Sequence, residues 1–192
     1  MRILSRTAPT FALLALIAAV ACVSTRETRP TGADPLADFK QRVDTYMELH
    51  NRLERQGPPM KTTDDQAAIR ASQQALAARI QAARASARPG DIFTTAVATK
   101  LRQLLNPELR GTQSAGTRAS IREGTPAEFT LKVNASYPEN APLSTVPPNV
   151  LQVLPSLPED LQYRIVNRHL ILHDVHANLI VDFLYDVMCD KC

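Results

Sequence analysis

Residues 161-LQYRIVNRHLILHDVHANLIVDFL-184 decide the fold. Three runs rich in Leu, Ile, Val, Tyr and Phe are separated by two polar interruptions, Asn167-Arg168 and Val175–Asn178. Short β-favouring runs bounded by Asn and Asp read as strands, and a two-residue interruption between them reads as a tight hairpin turn. The expectation is an antiparallel meander with strands at Leu161–Val166, His169–Asp174 and Leu179–Leu184, and with Asn178 suited to a left-handed turn conformation.

Upstream, Phe129, Leu131 and Val133 alternate with Thr130, Lys132 and Asn134, the period of a half-buried strand. Added to the meander, it gives a sheet of three or four strands. Between the two lie Pro138, Pro142, Pro147, Pro148, Pro155 and Pro158, which read as a rigid connector packed by Val150, Leu151, Val153 and Leu154.

The first half of the chain has helical periods instead. Asp34-Pro35 offers an N-cap followed by a first-turn proline, and Phe39, Val43, Tyr46, Leu49 and Leu53 form one stripe before Gly57-Pro58-Pro59. His50 falls beside that stripe and reads as a packed residue. Thr63 and Gln66 make a capping box for a second helix with the stripe Ile69, Leu76, Ile80 and Ala83, ending by Pro89-Gly90. Its four arginines, Arg70, Arg79, Arg84 and Arg88, read as a solvated face. The two helices suit a helical hairpin. A third is expected over Thr94 to Leu105, with Phe93, Val97, Leu101 and Leu104 inward and Asn106-Pro107 as its stop, and a short one near Arg118 to Arg122. The fold class is therefore α+β, with helices over 34–124 followed by a β-meander region over 125–192, on one shared domain.

The N-terminus reads as an address. Arg2 and Arg6 precede an apolar run from Phe11 to Val23 that is too short for the ~20 residues a membrane-spanning helix needs. Residues 1–21 thus read as a signal peptide. The sequence Ala19-Val20-Ala21-Cys22 resembles a bacterial lipobox, which implies lipidation of Cys22 and a lipid-anchored, periplasmic protein held at the outer membrane. Residues 22–33, rich in Thr, Arg, Pro and Gly, read as a flexible tether. Losing Arg2 and Arg6 lowers the formal charge from +3 to +1, and the chain has no tryptophan and no long basic run. Nucleic acid is therefore an improbable partner.

Candidate chemistry gathers at the other end. His169 and His173 share a strand face but stand about 13 Å apart at ~3.3 Å per residue, too far to hold one zinc ion. His173, Asp174 and His176 lie closer around the turn and, with Cys189 and Cys192 folding back, make a possible soft, mixed site for zinc or copper. The competing reading pairs Cys189 with Cys192 as a disulfide, since an oxidising compartment favours it. No nucleophile elbow, zinc-protease helix or phosphate loop occurs. A non-enzymatic envelope protein that binds a protein partner or supports an assembly is the first functional expectation, and a periplasmic metal-binding protein is the alternative.

The stretches ARPGDIFTTAVATKLRQLL (87–105), ASYPENAPLSTVPPNVLQVLPSLPEDLQYRIV (135–166) and LILHDVHANLIVDFL (170–184) resemble a family of exported proteins from environmental Gram-negative bacteria. The resemblance implies export and a single architecture and lends no catalytic residues. The last meander is also similar to the terminal hairpin of small periplasmic metal-homeostasis proteins.

Overall fold

A computed structural model describes residues 34–58, 64–110, 114–123, 131–138 and 146–187. The expected signal peptide (1–21), tether (22–33), Cys22, Cys189 and Cys192 lie outside the described residues, as do Phe129 and Thr130. Among the described residues five helices precede a three-stranded antiparallel sheet: α1 (Pro35–Glu54), α2 (Gln66–Ala83), α3 (Thr95–Arg110), α4 (Ala115–Glu123) and α5 (Pro148–Val153), then β1 (Leu161–Val166), β2 (His169–Asp174) and β3 (Leu179–Leu184). The class is α+β. No helix among the described residues is long and apolar enough to cross a membrane.

The strands fall where the hydrophobic runs place them, in the order β1-β2-β3. Val166 pairs with His169 across Asn167-Arg168, and Asn167 and Asn178 both have positive φ, 57° and 50°. Asparagine tolerates that backbone region better than most residues, so both turns are written locally.

The β2–β3 ladder contains an irregularity that alternation does not foretell. His173 pairs with Ile180, yet Leu172 pairs with Asp182, which leaves Val181 as the extra residue of a β-bulge. Strict alternation would put Asp182 on the Ile180 face; the bulge carries it to the other. Consequently Leu184 packs with Leu170 and Leu172 in the main core, while Ile180 and Phe183 join Val133, Tyr137, Val166 and Ile171 in a second, smaller cluster.

The larger cluster unites helices and sheet in one core. Phe39 and Val43 of α1, Leu76 and Ile80 of α2, Leu101 and Leu105 of α3, Ile121 of α4 and Val150 of α5 all pack in it with Tyr163, Leu172 and Leu179. Burial on both faces explains why β3 has no exposed residue.

Asp182, fully buried, holds the segment leading into α3. Its carboxylate accepts hydrogen bonds from the backbone N–H groups of Gly90 (3.0 Å), Ile92 (2.8 Å) and Phe93 (2.8 Å). A buried carboxylate is tolerable only with such partners. Gly90 sits at φ +91°, a conformation that side chains strain to adopt.

Several helical expectations are corrected. Asp65 caps α2 through the N–H of Ala67 at 2.9 Å, and the helix stops at Ala83. Ala83 is exposed and Ile69 only half-buried, while Ala77 is buried in their place. Arg84 is not solvated: it turns inward to the Val181 carbonyl (3.1 Å) and to Asn134 Oδ1 (3.0 Å). The third helix runs through Pro107 to Arg110, because Leu105 and Leu109 are both sealed in the core and hold the last turn in place. Its stripe accordingly uses Leu105 where Leu104 was expected.

The connector contains α5, which the proline count concealed. Pro148 stands at the first helical position, where a missing N–H costs nothing. Leu151, expected to pack, is 51% exposed. The strand expected at Phe129–Asn134 is, over its described part, not regular: Ala135 N–H bonds back to the Lys132 carbonyl and Asn134 has φ 63°. This turn lets the segment run along β3 with only a single bridge, Ser136 to Leu179. The sheet accordingly has three strands among the described residues.

His173 on β2 is buried on the face covered by Tyr137. Arg164 Nε donates to its Nδ1 at 3.1 Å, so its own proton lies on Nε2, 3.1 Å from Asn178 Oδ1. Burial is the main cause of a pKa pushed down to about 4; the Arg164 charge adds to it, against the pull of the Asn178 hydrogen bond and of Asp174. The unfolded chain protonates this imidazole near its ordinary value of 6.5 and the native state only near 4. Between those values the unfolded state binds more protons, so stability falls as pH falls, by up to about 3 kcal/mol from this group. Urea midpoints at pH 7 and pH 4.5 should therefore differ by less in His173→Gln than in the wild type.

Candidate functional site: a histidine–carboxylate cluster

Tyr46, His50 and Glu54 recur every four residues along α1 and so share one face of it. Opposite them stands Asp174, the last residue of β2 and fully buried. Tyr46 Oη donates to Asp174 Oδ2 at 2.6 Å, and His50 Nδ1 lies 2.7 Å from the same oxygen. Asp174 Oδ1 accepts the N–H of Ala177 at 2.8 Å, which folds the β2–β3 turn back over the helix. That turn carries His176.

The carboxylate draws a proton onto His50 Nδ1 and leaves Nε2 facing away. Nε2 is buried and has no hydrogen-bond partner among the described residues; Glu54 Oε2 is 3.9 Å from it. Beside it the His176 ring lies 6.0 Å away centre to centre. His176 Nδ1 is 3.3 Å from Glu54 Oε1 and 3.5 Å from Asp160 Oδ1. Asp160 is fixed just before β1, where its carbonyl accepts the N–H of Val175 at 2.9 Å. One ligand atom each from His50, Asp160 and His176 lie within 4.8 Å of one another.

The charges in this cluster are coupled. Burial acts to lower the His50 pKa, but the hydrogen bond and charge of Asp174, with Asp160 and Glu54 beyond, outweigh it and raise the value above normal. Burial likewise acts to raise Asp174, and the hydrogen bonds from His50, Ala177 and Tyr46 overcome it, so this carboxyl titrates below its ordinary range. A cleft of about 430 Å³ lined by Glu54, Ser72, Arg79 and His176 leads to the cluster.

Of the residues singled out from sequence, the structure brings His176 into this cluster and places His173 in a separate network with Arg164 and Asn178. Cys189 and Cys192 lie outside the described residues. His50, Asp160 and Glu54 were missed as site residues, and Asp174, expected beside His173 and His176, is bonded to His50 instead. The Tyr46, His50, Glu54 spacing was a visible signal, but nothing local joins it to residues more than a hundred positions away.

Searches of protein-family models, curated proteins and solved structures find no match to this chain.

Removing one donor to the buried Asp174 has a calculable effect. Tyr46→Phe should lower stability by about 2 kcal/mol, the worth of a hydrogen bond to a charged acceptor, and Asp174→Ala by about 3–5 kcal/mol, since it also orphans His50 and Tyr46. Urea denaturation of both variants checks the order and size.

Proposed function

We propose that this is an exported, lipid-anchored envelope protein with a binding role, whose folded unit holds a divalent transition metal of the zinc type through His50, His176 and Asp160. The observation that carries the reading is the buried, unpartnered Nε2 of His50, aimed at a second histidine and a carboxylate. A neutral imidazole whose other nitrogen is fixed by a carboxylate is the usual arrangement of a metal-bound histidine. Here Asp174 supplies that carboxylate and Tyr46 steadies it.

Two imidazoles and a carboxylate suit zinc, with copper binding the same donors. Ligand atoms about 2.1 Å from a tetrahedral zinc sit about 3.4 Å apart. Closing the present cluster to that spacing would fall to the half-buried His176 and Asp160, since Asp174 holds His50. Glu54, at the rim, is placed to act as a further ligand or to orient His176. A charge-relay reading of Asp174 and His50 would need a hydroxyl or thiol at Nε2, where Glu54 and the His176 ring stand instead.

Titration of the purified chain with zinc, read by competition with a chromogenic chelator, should show one site. His176→Ala and Asp160→Asn should weaken it at least about tenfold without changing the fold, and Asp174→Asn by roughly 10–100-fold through loss of His50 orientation. Cys189→Ser with Cys192→Ser should leave it unchanged. Zinc binding that survives His176→Ala, or is lost only with the cysteines, would move the site to the C-terminus.

Export rests on Arg2, Arg6, the apolar run that follows and Cys22. The intact mass of the protein from its native membrane fraction should begin at Cys22 and include a diacylglyceryl group. A chain retaining residues 1–21, or one without lipid, would overturn the anchored reading.

A further inference from the structure

A groove of about 780 Å³ lies beside β1, and its lining includes none of the histidine cluster's ligands. Half of its lining is aliphatic, from Val146, Leu151, Leu154, Leu157, Leu161 and Val175, with Ser156, Gln162 and Tyr163 among the rest. Leu151 is one of only two large apolar side chains strongly exposed among the described residues. In the same groove lie Arg164 and His173, both buried.

Arg164 is the one arginine among the described residues that is buried. Only 8% exposed, it donates to His173 Nδ1 (3.1 Å) and Gln162 Oε1 (3.4 Å) and sits 4.9 Å over the Tyr137 ring. All of these are neutral partners. Among the described residues no carboxylate pairs with it, whereas the more exposed Arg168 and Arg42 are paired with Asp186 and Asp38. His173 adds no second charge, because it accepts from Arg164 and is neutral. A guanidinium taken out of water without a counter-charge is costly, and a bound anion offsets that cost.

We propose that the groove binds a fatty acid, with its carboxylate on Arg164 and its tail along Leu151, Leu154 and Leu157. The fork of a guanidinium matches a carboxylate in two parallel hydrogen bonds. A groove that combines a single cation with aliphatic side chains selects a ligand with one anionic head and an apolar body. A polyanion would find no second cation in the lining, and an uncharged lipid would leave Arg164 uncompensated. The inference stands on Arg164 and the groove alone and does not depend on the metal site.

Calorimetric titration of the full chain with decanoate tests it, with decyltrimethylammonium as a probe of equal tail and opposite head. Decanoate should bind saturably at one site and the cation should not. Arg164→Gln should weaken decanoate by roughly tenfold or more, the loss of a charge-assisted contact. Leu151→Asp should weaken it as well, and because Leu151 is exposed this variant keeps its fold and decides the matter if Arg164→Gln does not fold. Absence of saturable decanoate binding, equal binding of the cation, or a folded Leu151→Asp that binds like the wild type would overturn the proposal.

Discussion

The carboxylate of Asp174 has no contact with solvent, and the protein has to satisfy it. It does so with three groups from two sides: a phenol and an imidazole from α1, and a backbone N–H from the turn after β2. An ionised carboxylate left bare in such a place would be intolerable, so α1 can dock on the sheet only in the rotation that presents Tyr46 and His50 together. Asp182 does the same for the segment entering α3. Hydrophobic burial supplies the drive to collapse, and these two acids select one arrangement of helices from the many that would bury a similar area.

The second acid depends on the bulge at Val181. Without the extra residue, Asp182 would face the smaller cluster of Val133, Tyr137 and Phe183, where it would meet no row of N–H donors. The bulge therefore converts an acid that looks misplaced in an apolar strand into the anchor of a distant loop. It also lets both faces of a short sheet be buried by different parts of the chain, helices on one side and the 131–137 segment on the other.

The same geometry divides the histidine cluster into a fixed half and an adjustable half. His50 is held at one nitrogen inside the core, while His176 and Asp160 stand half-buried at the ends of strands. In the proposed metal site, His50 would be the pre-oriented donor, and the ordering cost of binding would fall on the other two. His173, only three residues before His176, serves the other face of the sheet instead, because side chains alternate along β2.

Local chemistry in the sequence determined a good deal. The three strands, both turns with their asparagines, the first helix and its cap, and the α+β class follow from periodicity and turn residues, which act over a few positions. Where a distant contact outweighs a local signal, the sequence is silent or misleading. Pro107 marks a stop that Leu109 overrides by burial, and Arg84 looks solvated until Asn134 and the Val181 carbonyl claim it. The pairing of His50 with Asp174, and their meeting with His176 and Asp160, belong wholly to the tertiary structure. Their elements converge only when the core closes, and neither hydrophobic period nor residue spacing carries information across 124 positions.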